Sequence, residues 1–469
     1  MLFNSYEYLL VFLPTAAAVF FLLNYFASAT VAKLWLVAAS LAFYSWWGLA
    51  YVPLIIISIF VNYGVGTALG AACFAPFYRM ALLTAGIGFN FGLLAYFKYA
   101  NFFVDSMNSL AGTNFHLDRI VLPLAISFFT FQKIAYLVDS YRRETVGYNF
   151  LNYALFVTFF PQLIAGPIVH HKEVVPQFSD SRNRLPNVAN IATGLCILSI
   201  GLFKKVMIAD TFAMYVSAGF DSEGALRCID AWAASLGYTF QLYFDFSGYT
   251  DMAIGSALIF NIRLPINFNS PYQATNIQDF WRRWHITLSR FLRDYVYIPL
   301  GGNKSGELAT YFNLFLTFLI GGLWHGASWM FVIWGGMHGA AIVLHRASLR
   351  FGLQIPTAPA WFVTFSFINL AWVFFRAKDM QSAQRMLSAM MNFRDGSLLK
   401  MFDVQQRHAT LLIGLGFAIV LLTKTTIELC EDSRNCEKMC VIAGAALAIS
   451  LIAMSFVGTG VSEFLYFNF

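Results

Sequence analysis

The chain has 469 residues, of which 59% are hydrophobic and 18% aromatic, including 50 Phe, whereas only 12% are charged. That is about half the charged share of a soluble protein, and a soluble domain of this size has no interior large enough for so much apolar surface. An ordinary cytosolic enzyme, a disordered chain and a DNA-binding domain are excluded, which leaves an all-α polytopic membrane protein. The net charge of +6, from 30 Lys and Arg against 24 Asp and Glu, then reads as basic cytoplasmic loops and not as a nucleic-acid footprint.

Apolar stretches recur near 8–26, 34–62, 80–98, 120–138, 150–169, 190–209, 229–260, 311–345, 358–376, 408–427 and 438–460. A span takes about 20 residues, so several of these do not fit one simple helix. Ala27-Ser28-Ala29 imitates a cleavage site after the first stretch, but residues 1–8 contain Glu7 and no Lys or Arg. An uncleaved first span with its N-terminus outward is expected. The 34–62 block holds Trp46-Trp47-Gly48 and Pro53, which predicts two shorter helices. The 150–169 block ends in Pro161 and Gly166-Pro167, which predicts a re-entrant piece. The 311–345 block carries Gly321-Gly322 and Gly335-Gly336 and is too long for one untilted span.

The expectation is ten to twelve transmembrane helices plus re-entrant or interfacial helices. Basic clusters at Arg142-Arg143, Lys204-Lys205, Arg282-Arg283 with Arg290 and Arg293, and Arg346 with Arg350 predict the cytoplasmic side, and the uncharged-to-acidic 461–469 tail the outer one. No repeat and no linker divides the chain, so one integral domain over 1–469 is expected. The six Cys (73, 196, 228, 430, 436, 440) contain no CxxC pair and no His to complete a zinc set. Neither a disulfide framework nor a metal site is expected.

Residues 261–310 are the most irregular, with Pro265, Pro271, Pro299 and many charges beside Trp281, Trp284 and Phe291. Irregular backbone at membrane depth must line a cavity or be buried in protein, so a site belongs here. His325 stands in GGLWHGA (321–327), with no charge from 308 to 344. An ionisable residue in a span is a functional candidate; the alternative is a neutral His tying two helices together. His338 is 13 residues further on, about 220° around an unbroken helix. A paired-His metal site is therefore not expected, and His338 reads as a structural partner.

In DFWRRWH (279–285), Trp281, Trp284 and His285 share one helical face at i, i+3 and i+4. Pairs Asp279–Arg283 and Arg290–Asp294 support a helix. The alternative is an interfacial amphipathic helix that needs no chemistry from His285. His170-His171, after Pro167, read as a solvated loop edge. Asp245 and Asp251 are six apart, about 240° around a helix, so they read as tunnel lining or helix glue and not as a carboxylate dyad. There is no GxSxG, no GxxxxGK[ST] and no HExxH.

The strings LPLAISFFTFQKIAYLVDSYRR (122–143), FPQLIAGPIV (160–169), LYFDFSGYTDMAIG (242–255), DFWRRWHITLSRFLRDYVYIPLGG (279–302), GGLWHGASW (321–329) and AWVFFRA (371–377) cover the chain from about 120 to 380. In them the sequence resembles the membrane-bound O-acyltransferase (MBOAT) family, in the bacterial branch with alginate O-acetylases and teichoic-acid D-alanyl transferases. YFKYANFFV (96–104) fits as well.

The resemblance implies helices around a funnel or tunnel, and two family histidines at His325 and His285; other branches carry Asn at the second position. It implies that His325 is the catalytic general base and that His285 supports it, orienting a thioester or a water. Trp281, Trp284, Trp324 and Asp245 would line the substrate path. Arg282 and Arg283, with Arg290 and Arg293, would hold coenzyme A phosphates, unless they only anchor the surface. The implied activity takes acetyl groups from cytoplasmic acetyl-CoA, with no resident cofactor or metal. It passes them across a bacterial inner membrane to a periplasmic polysaccharide acetyltransferase partner, for O-acetylation of an exopolysaccharide, cellulose or peptidoglycan. The aromatic tail 461–469 is an interfacial anchor, or docks at the outer mouth with Tyr466 as a transient acyl acceptor. The competing readings are a D-alanyl transferase for teichoic acid and a non-catalytic transporter of polymer or acyl groups.

Overall fold

Several helices of this chain start where a side chain can take up a free backbone N–H. Ser28, Asn149, Asn276, Ser328 and Asp379 each accept one from the first turn of the helix that follows. The computed structural model describes residues 1–71, 75–145, 148–164, 166–222, 224–395, 404–431, 436–457 and 463–468. All regular elements among the described residues are helical. They form two compact units, residues 1–199 with 250–265 and residues 200–249 with 266–469.

The first unit contains α1 (Leu13–Phe26), α2 (Ala29–Ser45), α3 (Val52–Gly70), α4 (Pro76–Leu94), α5 (Ala100–Ala111), α6 (Ile126–Tyr141), α7 (Phe150–Thr158), α8 (Phe160–Leu163), α9 (His171–Ser179) and most of α10 (Val188–Phe203). The second contains α11 (Asp210–Phe220), most of α12 (Cys228–Ile259), α13 (Ile277–Arg283), α14 (Ile286–Leu292), α15 (Glu307–His325), α16 (Trp329–Arg350), α17 (Thr357–Arg376), α18 (Met380–Met391), α19 (Val404–Leu422), α20 (Thr426–Glu431) and α21 (Cys436–Val457).

The 34–62 block divides into α2 and α3 at Trp46-Trp47-Gly48, as expected. The 150–169 block divides at Phe159 into helices of nine and four residues, too short to span. The 229–260 block is one helix of 32 residues. Among the described residues, six helical stretches are long and apolar enough to cross a bilayer: Glu7–Phe26, Leu49–Gly70, Pro76–Ala111, Val188–Phe220, Glu307–His325 and Thr357–Arg376. Ala29–Ser45, Arg407–Leu422 and Cys440–Ser455 are apolar but shorter. Cys73 and the Cys436 side chain lie outside the described residues; among the described residues Cys196, Cys228, Cys430 and Cys440 form no disulfide.

His170-His171 is not a solvated loop edge. His171 is buried at the start of α9, and Asp139, near the end of α6, is buried beside it. The Asp139 Oδ2 accepts from His170 Nε2 at 2.8 Å and from His171 Nε2 at 2.9 Å. The Lys172 backbone N–H donates to His170 Nδ1, and the Tyr148 hydroxyl meets His171 Nδ1 at 3.1 Å. A buried carboxylate needs such donors, and this one lies 31 residues upstream of its first imidazole. Burial holds the His171 imidazole below its usual range, against the opposing pull of Asp139.

Candidate active site

The site is built on a broken helix and a helix hairpin of the second unit. α13 ends at Arg283, Trp284 is extended (φ −100, ψ 128), and α14 begins at Ile286. Between them His285 takes the left-handed conformation (φ 43, ψ 54). This corrects the single helical face expected for Trp281, Trp284 and His285. The left-handed region costs a non-glycine residue about 1–3 kcal/mol and needs outside support. Residues 267–269 supply it. The Asn269 N–H donates to the Arg283 carbonyl at 2.9 Å, and the Ile286 N–H to the Asn267 carbonyl at 3.0 Å. The Asn267 Oδ1 caps α14 by accepting from the Thr287 N–H at 3.2 Å and the Thr287 hydroxyl at 2.9 Å.

His285 is fully buried. Its Nδ1 lies 3.1 Å from the Asn267 Oδ1, and its ring stands edge-on to Phe246 at 4.8 Å. The Trp324 and His325 rings lie at 6.0 and 6.4 Å.

His325 is the last residue of α15. The chain turns at Gly326 and starts again at Trp329, with Ser328 as cap. A Cβ on Gly322 would lie 2.9 Å from the Gly335 Cα and closer still to the Phe331 carbonyl. Only glycine allows α15 and α16 to meet backbone to backbone here. The hairpin sets the His325 ring against Trp334 at 5.0 Å, Trp324 at 4.9 Å and Phe375 at 5.2 Å. The 311–345 block is thus two helices, so the angular argument that separated His325 from His338 does not apply. The Trp334 ring lies 4.6 Å from that of His338 and stands between the two imidazoles. His338 accepts a hydrogen bond from Trp281 Nε1 at 3.2 Å.

Of the sequence-predicted residues, His285, Trp324 and His325 come together, and Trp281 joins them through Trp334 at 5.8 Å. Trp284 packs instead among Phe280, Trp372 and Tyr272. Asp245 lies in a buried ion pair, 2.6 Å from Lys205. Lys205 also reaches Asp210 at 2.9 Å and the Glu463 carbonyl at 3.1 Å, while the Leu465 N–H donates to Asp245 Oδ2 at 3.0 Å. Between these two backbone anchors Phe464 is fully buried, stacked on Tyr249 at 4.5 Å and against Phe246 at 5.4 Å. The Tyr466 side chain lies outside the described residues.

A cavity of about 690 Å³ opens beside Trp281. Arg282, Arg290, Arg293 and Arg346 line it, with His345 and Tyr297 and an apolar wall that includes Phe318 and Leu292. Arg283 does not reach it; its Nε donates to Asp279 Oδ2 at 3.0 Å. Arg346, bridged to Glu307 at 3.1 Å, was read from sequence only as a marker of sidedness. Asn267 and Phe246 had no sequence signal of a role, because each acts on His285 from 18 or more residues away. Lys205, expected only as part of a basic cluster at the cytoplasmic side, is instead buried, because its charge is taken up by Asp245 and Asp210. Among the described residues, Asp139, His170 and His171 are a group whose ligand atoms lie within 4.8 Å of one another.

A family model described as membrane-bound O-acyltransferase matches residues 90–384. The chain is 51% identical to a peptidoglycan O-acetyltransferase of Helicobacter pylori, over 85% of this chain and 81% of the relative. It is 43% identical to a probable alginate O-acetylase of Pseudomonas aeruginosa, over 84% and 75%. It is 27% identical to a teichoic acid D-alanyltransferase of Bacillus subtilis, over 55% and 70%. With these matches on a helical, apolar chain, the protein belongs to the membrane-bound O-acyltransferase family and is a multi-pass membrane acyltransferase.

Proposed function

We propose that the protein is an O-acetyltransferase of the bacterial inner membrane that takes acetyl groups from cytoplasmic acetyl-CoA and passes them outward for O-acetylation of a cell-envelope polysaccharide. The 51% identity to a peptidoglycan O-acetyltransferase, against 27% to a D-alanyltransferase, favours an acetyl group and peptidoglycan. Ten to twelve spans around a funnel, and a periplasmic acetyltransferase partner, complete this reading.

The observation that carries the chemistry is two buried imidazoles, His285 and His325, with ring centres 6.4 Å apart. The His325 ring packs on Trp334, Trp334 packs on Trp281, and Trp281 also walls the arginine-lined cavity. Arg282, Arg290, Arg293 and Arg346 hold the phosphates of coenzyme A, and the apolar wall takes the pantetheine arm. His325 accepts the proton of the attacking hydroxyl as its oxygen bonds to the thioester carbon. The C–S bond then breaks, and the proton goes to the departing thiolate. His285 orients the reacting groups. Tyr466, two residues beyond the anchored Phe464, is the transient acceptor that carries the acetyl group to the outer side.

The test is polymer acetylation in cells carrying His325→Ala, with membranes incubated with labelled acetyl-CoA in parallel. Abolished acetylation at normal protein level is expected. Wild-type acetylation in that variant would overturn the assignment. Label transferred from a D-alanyl carrier and not from acetyl-CoA would overturn the donor.

A further inference from the structure

The Asn267 amide can be oriented from the backbone alone. The Thr287 N–H can only donate, and it points at one terminal atom of Asn267 from 3.2 Å. That atom must therefore be the oxygen, because an NH₂ there would set donor against donor. The Thr287 hydroxyl at 2.9 Å is free to rotate and donates to the same oxygen. His285 Nδ1 lies 3.1 Å from it. An amide oxygen has no hydrogen to give, so the contact is a hydrogen bond only if the imidazole carries its proton on Nδ1. In a neutral ring Nε2 is then a bare lone pair. Nε2 is buried and has no hydrogen-bond partner among the described residues. The ring faces Phe246 at 4.8 Å, Trp324 at 6.0 Å and His325 at 6.4 Å, none of them charged side chains of fixed sign.

We propose that Asn267 is a positioning residue that fixes His285 as the Nδ1–H tautomer, so that Nε2 receives a hydrogen-bond donor of the substrate, a hydroxyl or an amide N–H, and never donates to its carbonyl oxygen. This rests on the active-site reading above and sharpens it. Stabilisation of an oxyanion by His285 is ruled out in the neutral state, and holding the acceptor hydroxyl or the pantetheine amide is ruled in. A dedicated acceptor such as Asn267 is the usual way a protein chooses between two ring nitrogens.

The experiment uses the full-length protein in nanodiscs with ¹⁵N-imidazole-labelled histidine, the His285 signals being assigned by their loss in His285→Ala. Wild type is expected to show a protonated Nδ1 and a pyridine-type Nε2. With a non-transferable thioether analogue of acetyl-CoA bound, Nε2 should remain unprotonated. Asn267→Asp, which keeps the acceptor oxygens, should keep the tautomer and turnover within a few-fold. Asn267→Leu should release the tautomer and lower kcat about 100-fold with little change in KM, a loss of the size typical for one proton-handling group. A protonated Nε2 in wild type, free or with the analogue, would overturn the proposal, and that measurement stands even if Asn267→Leu does not fold. An Asn267→Leu variant that keeps the wild-type tautomer would overturn it as well. A released tautomer with unchanged turnover would overturn the catalytic use of His285, and would leave the hydrogen-bond assignment of Asn267 intact.

Discussion

Lys205 and Asp245 form a buried ion pair whose two ends hold the backbone on either side of Phe464. The pair thus fastens the C-terminal segment next to Phe246, the ring on which His285 leans. Removing one partner leaves the other charge buried and alone, at a cost of about 3–5 kcal/mol. Asp245→Asn and Lys205→Met should each release the segment and remove acetylation. The double change to Leu should recover much of the stability but not the activity, because the backbone anchors are gone. Protease sensitivity of the last residues, read beside acetylation, checks this.

His325→Ala should abolish turnover, and His285→Ala should lower it by about 10²–10⁴-fold, the range for loss of a proton-handling group. Acetyl transfer from labelled acetyl-CoA in purified membranes is the measurement, with protein level as the control.

The arginine-lined cavity predicts a selective effect on donor binding. Arg290→Ala and Arg346→Ala should each raise KM for acetyl-CoA by about tenfold, equivalent to about 1.4 kcal/mol, and change kcat far less. Arg283→Ala, whose side chain does not line the cavity, should leave KM within a few-fold of wild type. The comparison decides between a phosphate site and a surface anchor.

Gly322→Ala and Gly335→Ala should both destabilise the hairpin, because the added methyl group meets backbone and not a movable side chain. Overpacking of this kind costs about 1–3 kcal/mol. A lower melting temperature together with lost activity is expected, because the same crossing holds His325 against Trp334.

A pH effect is expected from His171. Its folded pKa lies below the unfolded one, so the neutral native form contributes stability above about pH 6.5. That contribution is lost as the pH falls through the lower folded value. The melting temperature should decline in that window, and His171→Gln should flatten the decline. The comparison is of melting curves of the two proteins from pH 7.5 to 5.

Much of the site was legible because its residues lie in long, distinctive strings: Trp324-His325-Gly326 and the stretch 279–302. The glycine pairs also marked the hairpin, although not the place of its turn. Two features escaped for one reason. Trp281, Trp284 and His285 fit a helical face, and local spacing carries no trace of Asn267, which breaks the helix from 18 residues upstream. His170-His171 looked solvated because Asp139, which buries them, lies 31 residues earlier. In each case a long-range hydrogen bond overrode the local pattern, and periodicity contains no information about such a bond. The arginines were found as a class, but which of them shared a cavity depended on the wide turn over Arg293–Tyr297 that ends α14.

The left-handed backbone at His285 sets a rule for what can stand there. Few side chains tolerate that conformation, and Asn and His are among the enriched ones. Asn can also donate from its amide to the Asn267 oxygen, much as His285 does from Nδ1, but it has no atom where Nε2 lies. His285→Asn is therefore the replacement that keeps the turn and its anchor while removing the lone pair. The His-or-Asn alternation implied for this position across the family's branches is then an exchange between two residues with the same backbone tolerance and different reach.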